Sequence, residues 1–109
     1  MANWKIDQLE NVMGLLGSVH DYADVYDTAA IKANVALACK LLNRICSDES
    51  QDVFTEKEIL IIDVVDRLDD TPELVDDDKL YQVEAHAAYS IPILNEVYRM
   101  IERAEDEVD

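Results

Sequence analysis

The sequence predicts an all-α fold: a compact four-helix bundle of up to five segments, with the last long helix kinked near Pro92. Three observations carry this expectation. Half of the 109 residues are apolar, only two glycines and two prolines supply turn material, and Ala, Leu, Glu and Lys recur at helical spacing. Residues 1–109 read as one domain, long enough for a modest core and too short for two.

Residues 3–26 place Ile6, Leu9, Met13, Leu16, Ala23 and Tyr26 in a heptad-like seam interrupted by His20, the pattern of one amphipathic helix. At that seam position His20 is expected to be a hydrogen-bonded core histidine. Gly14 and Gly17 each cost roughly 1 kcal/mol relative to alanine inside a helix. Either a helix approaches closely there, from this chain or from a second copy in a homodimer, or the helix bends. Asp27 and Thr28 supply N-cap chemistry for a second helix over 28–46, whose inward stripe is Ile31, Val35, Ala38, Leu42 and Ile45.

After the polar stretch SDESQDV, Phe54 precedes the capping box Thr55-Glu56-Lys57-Glu58, and a third helix runs from it to about Asp70. Ile59, Ile62 and Val65, with Leu68 or Val64, are its expected inward residues. The β-branched run ILIIDVV could form a strand, but a lone strand leaves its backbone groups unpaired, so helix is preferred. Thr71-Pro72 reads as an N-cap and N1 pair opening a turn or short helix, and the final helix spans about Asp77 to Glu105. Pro92 falls inside it, where it should kink or split the helix near 88–92, with Ser90 placed to satisfy the freed carbonyl.

Cys39 and Cys46 lie seven residues apart on one helix, about 10 Å along its axis, too far for a bridge. They read as reduced thiols near the core of a cytoplasmic protein, where thiols are inert. No run approaches the length of a membrane span, and the N-terminal segment has no secretory pattern. The five tyrosines are expected at the ends and margins of the core, with some of them edging an apolar patch.

Catalytic and metal motifs are not apparent. His20 beside Asp21 and Asp24, and His86 two residues after Glu84, match neither the Glu-x-x-His pairs of a di-iron bundle nor the His-Glu-x-x-His of a zincin. The nearest enzyme pattern resembles the all-α nucleotide pyrophosphohydrolases, in which acids on two helices hold Mg²⁺. Glu58, Asp63, Asp66 and Glu96 would have to imitate it, without the expected paired-glutamate motif. The expectation is a chain with no catalytic residues, no metal and no cofactor, acting by stoichiometric binding rather than turnover.

Charge points to the surface. Of the net charge of −16, residues 1–46 contribute −1 (five acids, four bases) and residues 47–109 contribute −15 (twenty acids, five bases). Such a field repels nucleic acid and anionic membrane and attracts basic proteins, within a Debye length of about 8 Å at physiological salt. The acids Asp63, Asp66, Asp69, Asp70, Glu73, Asp76, Asp77 and Asp78 recur every three or four residues, and only Arg67 and Lys79 interrupt them. Their near-neutral counterpart in the first half argues against a general halophilic bias.

A small, helical, strongly acidic chain resembles, as a class, the DNA mimics and phage counter-defence proteins (anti-restriction and anti-CRISPR proteins). Those occupy the DNA-binding clefts of nucleases, CRISPR effectors or repressors. The resemblance is of class only and implies a basic, nucleic-acid-binding protein as partner and an inhibitory role; the charge pattern itself makes those eight acids the expected binding surface, with the C-terminal ERAEDEVD extending it or remaining mobile. The alternatives are an immunity protein or antitoxin that neutralises a basic nuclease, the Mg²⁺-dependent enzyme above, or an acidic surface that only confers solubility.

Overall fold

The computed structural model describes residues 4–47 and 56–106. They form α1 (Trp4–Gly17), α2 (Val19–Asp24), α3 (Thr28–Ser47), α4 (Glu56–Leu68), α5 (Thr71–Asp76) and α6 (Leu80–Asp106). The architecture is an all-α four-helix bundle. α1 packs on α3 and α6, α4 packs on the same two helices, and α2 and α5 continue the courses of α1 and α4 as short extensions. α1 and α6 are antiparallel, since Glu10 meets Tyr98 at one end and His20 meets Glu84 at the other.

The first helical course bends. Ser18 N–H and Ser18 Oγ both donate to the Gly14 carbonyl at 3.1 Å, and such doubled demand on one carbonyl bends a helix. No heavy atom lies within 4 Å of the position a Cβ would take on Gly14 or Gly17. No close helix therefore accounts for the glycines, and the course is interrupted at Ser18, between α1 and α2. The seam is Leu9, Val12, Leu16, Val19 and Ala23, an alternation of three and four residues that crosses the bend without losing phase. Val12 and Val19 face inward where Met13 and His20 were expected. His20 is thereby corrected from core histidine to surface residue, and Tyr26 is 71% exposed.

α3 follows the sequence closely. Asp27 Oδ1 accepts from Ala30 N–H at 3.2 Å, a cap worth about 1 kcal/mol. All five stripe residues are buried, each contributing roughly 1.5–3 kcal/mol for its larger side chains. α4 is rotated from expectation. Ile61, Val64 and Leu68 are buried with Glu58, while Ile59 is exposed and Ile62 and Val65 are half-buried. With apolar residues at six of the seven positions of ILIIDVV, periodicity cannot select a face; packing against α3 and α6 does. The proposed capping box rests on Thr55 and the staple on Phe54, which lie outside the described residues.

Asp70, not Thr71, is the N-cap of α5, which places Thr71 and Pro72 inside the first turn; Thr71 is fully buried. α6 begins at Leu80 and runs unbroken through Pro92. The carbonyl that Pro92 deprives belongs to Ala88, on an exposed position that water can serve. Ser90 Oγ instead donates to His86 O at 2.7 Å. Tyr22 and Tyr98 pack at the core margin. Tyr98 Oη donates to Glu10 Oε1 at 3.1 Å, and this bond, before burial, raises the phenol's pKa. Cys39 and Cys46 are half-buried; burial, with Asp69 nearby, pushes the Cys39 thiol up to about 11, which leaves little reactive thiolate at neutral pH. No helix among the described residues is long and apolar enough to cross a membrane.

Candidate metal centre

The inward seam of α2 fixes what its outer side presents. With Val19 and Ala23 buried, His20 and Asp24 stand one turn apart beside them, on the flank of α2 that meets α6. Burial of Val83 and Ala87 likewise sets Glu84 at the margin of α6. The three side chains converge. His20 Nδ1 lies 2.9 Å from Glu84 Oε1, and His20 Nε2 lies 3.6 Å from Asp24 Oδ2. One ligand atom from each residue can be chosen so that all lie within 4.8 Å of one another.

A tetrahedral cation with ligands at about 2.0 Å separates its ligand atoms by about 3.3 Å. The two ring nitrogens of His20 face different carboxylates, Nδ1 toward Glu84 and Nε2 toward Asp24, so one ion would take a single nitrogen, and the set of one atom from each residue spans up to 4.8 Å. His20 and Asp24 are largely exposed and Glu84 is partly covered, with side-chain exposures of 71%, 64% and 31%, so binding one ion requires the exposed side chains to reorient. One imidazole and two carboxylates suit zinc and neighbouring transition ions better than Mg²⁺ or Ca²⁺, which take oxygen ligands. Without a cation the imidazole is held between the two carboxylates. The Glu84 hydrogen bond first, then the charges of Asp24 and Glu84, raise its pKa above 6.5.

This cluster overturns the expectation of a chain without metal or turnover chemistry. The group offers three side chains capable of coordinating a metal ion, and a site with three protein ligands leaves a further position for water. The signal was partly present in the sequence: His20 and Asp24 have the i, i+4 spacing of a helical ligand pair. Glu84, 64 residues from His20, could not be joined to them without the fold.

The site opens onto a cleft of about 250 Å³ lined by Asp24, Glu84, Ala23, Leu80, Tyr26, Asp78 and Tyr81. Among the described residues, Tyr26 and Asp78 are the two non-glycine residues with positive φ, at 55° and 59°. Each occupies the left-handed position of a Schellman turn. Tyr26 N–H bonds Ala23 O and Asp27 N–H bonds Tyr22 O; Asp78 N–H bonds Val75 O and Lys79 N–H bonds Leu74 O. The two turns thus close α2 and α5 at the rim of one cleft, and strained backbone gathers beside the ligands.

The eight acids singled out in the sequence lie elsewhere or only border this site. Asp63 and Asp66 are on α4, Asp69 and Asp70 follow it, Glu73 and Asp76 are on α5, and Asp77 and Asp78 turn into α6. All but Asp63 are exposed. Asp63 sits 3.5 Å from Arg67, and Asp76 sits 2.7 Å from Lys32. The carboxylates that would hold Mg²⁺ do not assemble: Glu58 is buried at 5% exposure, Asp63 faces Arg67, and Glu96 pairs with Arg103 at 3.1 Å. The His20, Asp24 and Glu84 group is the one three-ligand set found among the described residues.

Compared with known proteins, the chain matches no family model, no curated protein and no solved structure.

Proposed function

We propose that the protein binds a divalent transition cation of the zinc class at His20, Asp24 and Glu84, and that the bound ion acts as a Lewis acid at the mouth of the adjoining cleft. The observation that carries this reading is the convergence of the three ligand atoms within 4.8 Å from two helices far apart in the chain. The reaction class that such an open site serves is metal-assisted hydrolysis, in which the ion lowers the pKa of a bound water. The test is calorimetric titration of the full chain with Zn²⁺, together with Co²⁺ absorption spectra. One equivalent should bind with tetrahedral-type cobalt bands, and His20→Ala should weaken binding at least ten-fold. Because the chain carries 25 acids, weak diffuse binding is expected elsewhere; a tight site unaffected by His20→Ala would refute the assignment.

A second reading rests on a separate observation, the exposure of Asp66, Asp69, Asp70, Glu73, Asp76, Asp77 and Asp78 around α5. It holds that this surface engages a basic, nucleic-acid-binding protein or nuclease. Exchange of the six aspartates among these residues for asparagine should abolish capture of such a partner at moderate ionic strength. Release of the partner by duplex DNA would separate DNA mimicry from immunity-type recognition by shape. Capture that survives the exchange would refute the surface.

A further inference from the structure

The cleft beside His20, Asp24 and Glu84 holds side chains that a metal ion does not use. Its wall brings two phenol rings, Tyr26 and Tyr81, together with three carboxylates, Asp24, Asp78 and Glu84, and it contains no lysine or arginine. The rings come from different elements: Tyr26 follows α2, and Tyr81 is the second residue of α6. Neither ring belongs to the core, since Tyr26 is 71% exposed and Tyr81 63%. At φ 55°, Tyr26 also costs the fold backbone energy that burial of the ring does not return.

These groups are within reach of a ligand. Asp24 and Asp78 are exposed and Glu84 is half-buried. His20 stands against Asp24 and Glu84 and offsets part of their charge, whereas Asp78 makes no ion pair among the described residues. Asp78 is therefore the carboxylate left to meet a cation. Carboxylates alone select for charge. Aromatic faces beside them attract a cation through the ring quadrupole and suit one with an apolar skin, an alkylated ammonium ion, better than a small ion that holds its water. The volume, about 250 Å³, lies below the roughly 300–1,000 Å³ of sites for drug-sized ligands, so the occupant is small.

We infer that this cleft binds a small alkylated ammonium ion of the quaternary class, with its positive centre beside Asp78 and its alkyl groups against the rings of Tyr26 and Tyr81. The inference goes beyond the metal reading and does not rest on it, because none of these three residues is a metal ligand.

The experiment titrates the full chain with choline and with 3,3-dimethyl-1-butanol, its neutral isostere with carbon in place of nitrogen, and follows backbone amide shifts. A chelator keeps metal away, so the outcome is independent of the zinc titration, and sodium chloride holds the ionic strength at about 0.15 M to suppress diffuse attraction to the acidic surface. Choline should saturate one site and shift the amides of Tyr26, Asp78 and Tyr81, and the alcohol should bind much more weakly. Y26G and Y81L should each weaken choline by about two- to five-fold, the contribution of one exposed ring. D78N should weaken it several-fold. Glycine and asparagine suit the left-handed backbone at 26 and 78, and Y81L places a good helix former at an exposed position, so the variants fold. Equal affinity for the neutral isostere would reduce the cleft to an apolar notch and overturn the inference. Shifts spread along the acid row, insensitivity to both ring variants, or no saturable binding would overturn it equally.

Discussion

Replacing Tyr26 with glycine should stabilise the bundle, although it deletes a large aromatic side chain. Tyr26 has φ 55°, and a residue with a Cβ occupies that region at a cost of about 1–2 kcal/mol. The ring is 71% exposed, so its removal forfeits little burial. Glycine's greater freedom in the unfolded chain returns about 0.5–1 kcal/mol of the gain, which leaves a net stabilisation of about 0.5–1 kcal/mol. The Schellman bonds from Tyr26 N–H to Ala23 O at 3.2 Å and Asp27 N–H to Tyr22 O at 2.9 Å involve only backbone and persist. For a domain of this size the gain corresponds to a rise in Tm of about 2–6 °C. Urea and thermal denaturation followed by circular dichroism measure it, with an unchanged m-value expected. A fall in midpoint would refute the reasoning, because it would mean that the ring contributes more than the strained backbone costs. Zinc affinity should be unaffected, since Tyr26 walls the cleft without being a ligand; the stability lost to Tyr26 is then attributable to what the cleft must hold.

Gly14 lies in mid-helix with open space where a Cβ would stand, so Gly14→Ala should stabilise by about 0.5–1 kcal/mol; a loss of stability in denaturant would place an undetected close contact there. His20 should titrate above 6.5 in the folded chain, and Glu84→Gln should lower that value, because the Glu84 hydrogen bond is its largest cause. With the folded pKa raised, the stabilisation from this pair is fully present below the unfolded value and fades as pH rises through the folded one. Proton NMR of the imidazole follows the titration, and a wild-type value at or below 6.5 would show that the pair is not formed.

Legibility varied from helix to helix for physical reasons. In α3 the polar residues Lys32, Asn34, Lys40, Asn43 and Arg44 all fall off the stripe Ile31, Val35, Ala38, Leu42 and Ile45, so the stripe could be read directly and is buried as read, although Leu37 beside it is exposed. In α4, Ile59, Leu60, Ile61, Ile62, Val64 and Val65 compete for the same face, and tertiary packing decides. The α1 seam was traced one residue off at Met13, which carried His20 into the core on paper; the true seam at Val12 and Val19 puts it on the surface beside Asp24. Thr71 shows a subtler miss. A threonine before proline is a natural cap, yet Asp70 takes that position and Thr71 is turned into the protein. The acid row was legible as composition and exposure, whereas the metal ligands needed a contact between residues 20 and 84 that no local pattern encodes.

The antiparallel docking of α1 and α2 on α6 ties together positions separated by 64 and 88 residues, at His20 with Glu84 and at Glu10 with Tyr98. Closing loops of that length is entropically costly and comes late in folding. A chain in which α6 has detached still holds His20 and Asp24 on one helical turn but lacks the third ligand. The three-residue group therefore exists only when the bundle is shut. On the proposed reading, an ion bound there would report closure and would favour the shut state by an amount that grows with the logarithm of its concentration over its dissociation constant, much as a clasp holds a ring that has already met end to end.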